Sequence, residues 1–249
     1  MSPAFHWLRT VLFLIPAISA FTIVLGSVSV LSSLWPGGEF STRLAHGCAR
    51  AWSWLILATT GVDVEVHGLE RLRRNTTYIF VSNHQSIYDI PVIFWSLPFQ
   101  LRIIAKESLG RIPFMGWHLR RAGHMLVDRQ SPDRARILRD AGQLARDGVS
   151  LIVFPEGTRS RNGDLGRFKG GSFLLALEAG LPIVPVTVRG TRHVMRKGEL
   201  TTRPGHVSLV IHDPVVVDGR TEVQPHSARQ LAERVREIIG TALESECAT

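Results

Sequence analysis

The residues best suited to chemistry lie in one short stretch, Ser82-Asn83-His84-Gln85-Ser86-Ile87-Tyr88-Asp89. His84 carries the one side chain there that exchanges a proton near neutral pH unaided. Asp89, five residues on, is spaced to hold that imidazole in one tautomer and to stabilise its protonated form, as the partner of a general base does. The same residues admit a plainer reading. Ser86-x-x-Asp89 has the form of a capping box, in which Ser86 is the N-cap, Asp89 reaches back to the Ser86 amide and His84 is an ordinary loop residue. Positions five apart on an ideal helix point about 140° from each other, so the dyad requires His84 to lie in the loop before the first helical turn. Ser86 could be offered as a nucleophile, although the capping role already accounts for it.

A second loop, Pro155-Glu156-Gly157-Thr158-Arg159-Ser160, combines a glycine that lets backbone approach a ligand, two hydroxyls, and in Arg159 a guanidinium suited to grip a phosphate with two hydrogen bonds. Arg161, Arg167 and Lys169 follow it; a solvated basic loop would look the same. Lys106 is either a second phosphate contact or a solvated surface lysine. The basic run Arg189, Arg192, His193, Arg196, Lys197 and Arg203 reads as a plain soluble face or as a patch for anionic headgroups. It lacks the interleaved aromatics of a nucleic-acid groove, so no nucleic-acid partner is expected. There is no Gly-x-Ser-x-Gly elbow, HExxH pair, Cys/His cluster or Walker A loop, so neither a serine hydrolase of that type nor a metal site is expected.

The elements that must position these loops follow from periodicity. Tyr78–Val81 reads as a buried strand, Ser150–Phe154 as a continuous apolar one, and Leu101–Ala105 and Ile183–Val188 as strands. Val62–Val66 alternates like a half-exposed one, and Met125–Arg129 and His206–Val217 read as further strands. Pro185 places its strand near an edge or a bulge. Helices are expected after Asp89, from an N-cap at Ser131 with Pro132 following to Gly148, over Phe173–Ala179, and at the C-terminus behind a capping box Ser227-x-x-Gln230. Strands alternating with helices, several of them uninterrupted apolar runs, predict an α/β fold with a mixed, mostly parallel sheet flanked by helices. Sites in such folds gather beyond the carboxyl ends of strands, where the loops Ser82–Asp89, Asp128–Gln130 and Pro155–Ser160 all fall.

Thr10 to Gly38 contains no charged residue, which is long enough to cross a hydrocarbon layer of roughly 30 Å. Pro16 and Gly26 are candidate kinks, and the run could instead enter and leave one leaflet. Ala51–Ala58 is too short to span, and its tryptophans suit an interface. Residues 1–60 are therefore expected to form a membrane-anchoring helical hairpin, with 61–249 as the soluble domain, placed by its basic loops on the cytoplasmic face of the membrane. A net charge of +8 implies an anionic partner. Cys48 and Cys247 have no framework spacing, which fits a reducing compartment.

Four ordered blocks together resemble the glycerolipid acyltransferases, and within them the 1-acylglycerol-3-phosphate acyltransferase branch. They are Asn83-His84-Gln85-Ser86-Ile87-Tyr88-Asp89; Lys106-Glu107-Ser108 with Ile112-Pro113-Phe114-Met115-Gly116 and Val127-Asp128-Arg129; Phe154 to Ser160; and Leu181-Pro182-Ile183-Val184-Pro185-Val186. The resemblance implies transfer of a fatty acyl group from acyl-CoA or acyl carrier protein to the sn-2 hydroxyl of lysophosphatidic acid, giving phosphatidic acid, with membrane lipids as partners. Those thioesters are cosubstrates, and no further cofactor is implied. It makes His84 the base and Asp89 its orienting partner. Backbone amides around Gly157 are the candidate oxyanion donors. Arg159, with Lys106 and Arg129, holds the acceptor phosphate; Glu156 shapes the acceptor loop or binds the glycerol, and Thr158 belongs to the substrate-binding set. The alternatives are another lysolipid acceptor, such as a headgroup-bearing lysophospholipid, a lyso-ornithine lipid or glycerol 3-phosphate, or a non-catalytic basic membrane-binding protein.

Overall fold

The structure is a computed structural model and describes residues 2–32, 38–128, 130–217 and 225–245. In chain order the elements are α1 (Pro3–Arg9), a π-helical turn (Thr10–Leu14), α2 (Ile15–Leu31), α3 (Gly38–Thr60), β1 (Val62–His67), β2 (Ile79–Ser82), α4 (Asp89–Ser96), β3 (Leu101–Lys106), α5 (Met115–Arg121) and β4 (Met125–Val127). They continue with α6 (Arg134–Arg146), β5 (Ser150–Val153), α7 (Gly171–Ala179), β6 (Ile183–Arg189), α8 (Thr191–Val194), β7 (Gly205–Ile211) and α9 (Pro225–Glu244). One seven-stranded sheet runs β1-β7-β6-β2-β5-β3-β4, parallel throughout except between β6 and β7. This is the mostly parallel mixed sheet the apolar runs predicted.

Both faces of the sheet are covered. Along β2, Phe80 packs into the core under α3 and α4, while Ile79 and Val81 pack into the core under α6, α7 and α9. A strand buried on both sides gains nothing from alternation, which is why β2 and β5 are apolar at nearly every position. β1, at the sheet edge, alternates between half-buried and exposed residues as its period-two sequence requires.

Several local expectations change. β6 lies inside the sheet between β2 and β7, so Pro185 is not on an edge strand. The irregularity that proline needs is on the neighbouring chain: from Thr187↔Val210 to Ile183↔Val215, β6 advances four residues and its partner five. That extra residue is a bulge, and it falls where Pro185 has no N–H to give. The N-cap of α6 is Asp133, not Ser131: its carboxylate accepts from the Arg136 amide at 3.0 Å, and the charge favours the helix N-terminus. Ser227 lies inside α9, which already includes Pro225, so the expected capping box does not start that helix. β4 stops at Val127, and the Asp128 carboxylate accepts from the Gln130 amide.

The hairpin is present, its connection lying outside the described residues, and it is docked along the domain. Trp52 Nε1 donates to Thr22 Oγ1 at 3.0 Å, pairing α3 with α2. At one end Arg9 donates to the Thr60 and Thr202 carbonyls; at the other, His118 Nδ1 pairs with Ser29 Oγ at 2.8 Å. Gly26 is a close approach rather than a kink: a Cβ there would lie 3.1 Å from the Phe114 carbonyl oxygen. Phe114 (φ 60°, ψ −56°) is the centre of a γ-turn closed by the Met115 amide on the Pro113 carbonyl. The π-helical turn directly precedes Pro16 and absorbs the carbonyl its ring would strike. From α3 the chain passes through Gly61 (φ 77°) straight into β1, and Ile56 and Leu57 of α3 belong to the domain core.

Candidate active site

Strands β6, β2, β5, β3 and β4 run parallel, so their carboxyl ends share one edge. Register does the rest. Val81 pairs with Val153, so three residues further along each strand His84 and Glu156 stand side by side. The His84 amide donates to Glu156 Oε1 at 2.8 Å. On the other flank the Asn83 side chain substitutes for a missing strand rung, donating to the Val188 carbonyl and accepting from its amide, both at 2.8 Å. β2 can therefore leave the sheet at Asn83 without orphaning its neighbour.

His84 lies in the loop before α4, and its Nδ1 is 2.8 Å from Asp89 Oδ2. The same oxygen accepts the Gln85 amide at 2.8 Å and the Ser86 amide at 3.0 Å, and Oδ1 accepts Thr191 Oγ1 at 2.5 Å. The dyad forms, and with it only half of the expected capping box: Asp89 does reach back to the Ser86 amide, but the N-cap of α4 is Tyr88, not Ser86, and the Ser86 hydroxyl takes the Tyr88 amide rather than that of Asp89. A carboxylate has room for several donors, and Asp89 holds the turn's amides and the imidazole together. It is fully buried while the His84 side chain is 15% exposed. With Nδ1–H donated to Asp89, Nε2 is the nitrogen left as acceptor. Phe154 stacks on the ring, centroids 4.1 Å apart and planes inclined 21°. The Ser86 hydroxyl donates to the Met195 carbonyl at 2.7 Å and accepts the Tyr88 amide, so it is committed to structure.

Glu156 is nine-tenths buried with both oxygens on backbone amides, His84 N–H and Gly166 N–H. Burial pushes its carboxyl up from the ordinary range, against the pull of those two hydrogen bonds. It clips the Pro155–Arg167 loop to the turn of His84, as do Ser160 N–H on the His84 carbonyl at 2.8 Å and Gln85 Nε2 on the Gly163 carbonyl at 3.0 Å. Gly157 (φ 75°) closes a turn whose amide donates to the Phe154 carbonyl at 3.0 Å. Its amide is therefore engaged within the turn, not open toward a ligand. The Lys169 side chain lies across its α-carbon: Nζ would be 2.9 Å from a Cβ. The next amides, Thr158 and Arg159, donate to no protein acceptor among the described residues.

Arg159 is half-buried, and its guanidinium makes no hydrogen bond or ion pair among the described residues. Thr158 is exposed on the same turn. Lys106, exposed, leaves β3 at the same sheet edge, one strand beyond β5. Arg129 lies outside the described residues. Residue spacing alone did not mark Thr191, Asn83 or Phe154 as parts of this site. Thr191 carried no signal, since its partner is 102 positions away.

A family model described as Acyltransferase matches residues 63–189. The chain is 31% identical to the 1-acyl-sn-glycerol-3-phosphate acyltransferase of Cocos nucifera, over 86% of this chain and 70% of that one. It is 30% identical to that of Pseudomonas aeruginosa, over 85% and 82%. It is 32% identical to the chloroplastic enzyme BAT2 of Brassica napus, where it spans 59% of the relative's length. The crystal structure of the 1-acyl-sn-glycerophosphate acyltransferase PlsC from Thermotoga maritima superposes with a TM-score of 0.83, at 31% identity, over all of this chain and 99% of that one.

Proposed function

The chain belongs to the 1-acyl-sn-glycerol-3-phosphate acyltransferase family, and from that premise we propose that it acylates the sn-2 hydroxyl of lysophosphatidic acid. The acyl donor is a thioester, acyl-CoA or acyl carrier protein, and the product is phosphatidic acid. His84 Nε2 takes the hydroxyl proton as the oxygen attacks the thioester carbonyl. The tetrahedral intermediate expels the thiolate, and the imidazolium returns the proton to it, so that ester and free thiol leave. The thioester is activated already, so this route needs neither a serine nucleophile nor a metal.

The observation that carries the reading is the 2.8 Å contact between His84 Nδ1 and a buried Asp89 already fixed by two backbone amides and Thr191. That arrangement orients the base before substrate arrives. The open amides of Thr158 and Arg159 are better candidates than that of Gly157 to meet the oxyanion. Arg159, with Lys106 and Arg129, binds the acceptor phosphate.

Residues 1–60 anchor the enzyme and 61–249 catalyse. Ala4–Leu31 is long and apolar enough to cross a membrane. Arg9 near one end bonds the Thr202 carbonyl and Ser29 near the other bonds His118, both residues of the domain, so it runs along the domain and lies within one leaflet. Exposed Trp54 and Trp95, ring centroids 6.5 Å apart, suit the interface, and the basic surface suits the cytoplasmic face.

Thiol release from acyl-CoA by the purified protein, with and without lysophosphatidic acid, tests the reading. His84→Ala should lower acceptor-dependent release by about 10²–10⁴-fold in a protein that still folds. Retained release would remove His84 as the base. Comparing lysophosphatidic acid with lysophosphatidylcholine and glycerol 3-phosphate identifies the acceptor.

A further inference from the structure

The chain that follows β6 lies beyond all four motif blocks, yet it forms a third side of the site. Thr191 donates to Asp89, and the Met195 carbonyl accepts from Ser86, both on the turn of the base. Two residues later Lys197 reaches the other loop: its Nζ donates to Thr158 Oγ1 and to the Arg159 carbonyl, both at 2.7 Å. No carboxylate lies within ion-pair range of this half-buried ammonium among the described residues. Its charge therefore stands uncompensated on the turn whose Thr158 and Arg159 amides are open and which carries the free guanidinium of Arg159.

We propose that Lys197 is a positioning residue for the acceptor's phosphate. It fixes the Thr158–Arg159 backbone so that the Arg159 guanidinium meets a phosphate monoester, and it adds positive charge where that dianion sits. Two charge-assisted hydrogen bonds to one dipeptide constrain its rotation far better than a single contact. The Thr191–Lys197 segment then ties the phosphate subsite to the base in one piece, since it bonds the Asp89 turn at its start and the Arg159 turn at its end. A phosphate held by Arg159 is in this way gripped alike in the ground and transition states, so the contribution lies in binding the acceptor. The assignment rests on the acyl-transfer reading for its substrate.

The test uses the full chain in mixed micelles, with thiol release read against both substrates. Lys197→Met should raise KM for lysophosphatidic acid about tenfold while kcat and KM for acyl-CoA stay within about twofold, because a charge-assisted contact shared by ground and transition states is lost. Lys197→Arg should recover most of the difference. Unchanged acceptor KM in Lys197→Met, or an equal defect in Lys197→Arg, overturns the assignment. If Lys197→Met does not fold, Thr158→Val removes one acceptor of the clamp at an exposed position. A rise of about threefold in acceptor KM supports the assignment and no rise rejects it. Protection against thermal unfolding by glycerol 3-phosphate is read in parallel. Should the wild type release no thiol, acyl transfer falls, and loss or retention of that protection in Lys197→Met still decides the residue's role.

Discussion

Two groups of histidines in this protein show what separates a reactive imidazole from a structural one. At the carboxyl end of β2, His84 is joined to a buried carboxylate through Nδ1 and keeps Nε2 available. Some distance along the same sheet, His46, His118 and His124 gather around Arg102, whose side chain is buried on β3 with no carboxylate accompanying it among the described residues. Burial first, and then the Arg102 charge, pulls His46 and His118 down to about 4; burial, then His118 and Arg102, holds His124 well below the ordinary value. These rings stay neutral, and two of them serve as hydrogen-bond partners: His124 Nδ1 accepts the Ile103 amide at 3.0 Å, and His118 pairs with Ser29 of the hairpin, while both nitrogens of the buried His46 have no partner among the described residues. The lesson is that an acid partner and one open nitrogen make the base. Three imidazoles around a cation without an acid make a packed joint between hairpin and domain.

The contrast can be broken most severely at Asp89. Asp89→Asn should reduce kcat by about 10³-fold, since an amide cannot accept every donor on the turn and leaves His84 without a fixed tautomer. Steady-state thiol release on protein of unchanged circular dichroism checks it; a loss below tenfold would mean His84 is oriented by something else. Acid distinguishes the second group. The folded pKa values of His46 and His118 lie below the unfolded 6.5, so the unfolded chain binds protons first. Stability is complete above pH 6.5 and declines as the pH falls toward 4, by on the order of 3 kcal/mol for each ring. Thermal unfolding in detergent across that range should show the decline, and a flat profile would contradict the buried cluster.

Arg102→Met removes the cation that depresses all three rings. Replacing a buried charge that lacks a counterion should leave stability unchanged or raise it by about 1 kcal/mol, and the acid decline should become shallower. A large loss of stability would reveal an anionic partner for Arg102. The smallest effect is expected of Phe154→Leu, which keeps an apolar wall but loses the ring stacked on His84. A cost of about 1 kcal/mol or less in kcat/KM, with an altered pH profile, would mark the stack as a tuning contact.

Much of the fold was legible because each signal was local. The uninterrupted runs of β2 and β5 announced a sheet covered on both faces, Gly148 and Gly180 sit with positive φ just past the helices they end, and the period of β1 matched its exposure. Local signals also misled where two residues competed for one task. Asp133 displaced Ser131 as a cap, and Ser227 fell inside a helix that already includes Pro225. Pro185 suggested an edge or a bulge, and only the packed sheet shows that it is the bulge, on the neighbouring strand. Arg102 looked like one polar position in a strand, and nothing near it in sequence told that α3 and α5 would close over it.

By itself the amino-acid order determined the turn of His84 and Asp89, the glycine-centred loop before Arg159, and the strands that carry them, since all of these depend on residues within a few positions of one another. Tertiary structure alone decided that Asp89 holds the turn's amides and the imidazole at once, that Glu156 clips the two loops together, and that Thr191 and Lys197 reach them from the far side of β6. The physical reason is register. Parallel strands bring residues that are 38 to 102 positions apart within hydrogen-bonding distance at a shared sheet edge, and strand order and alignment are properties of the packed sheet that no short stretch of chain contains.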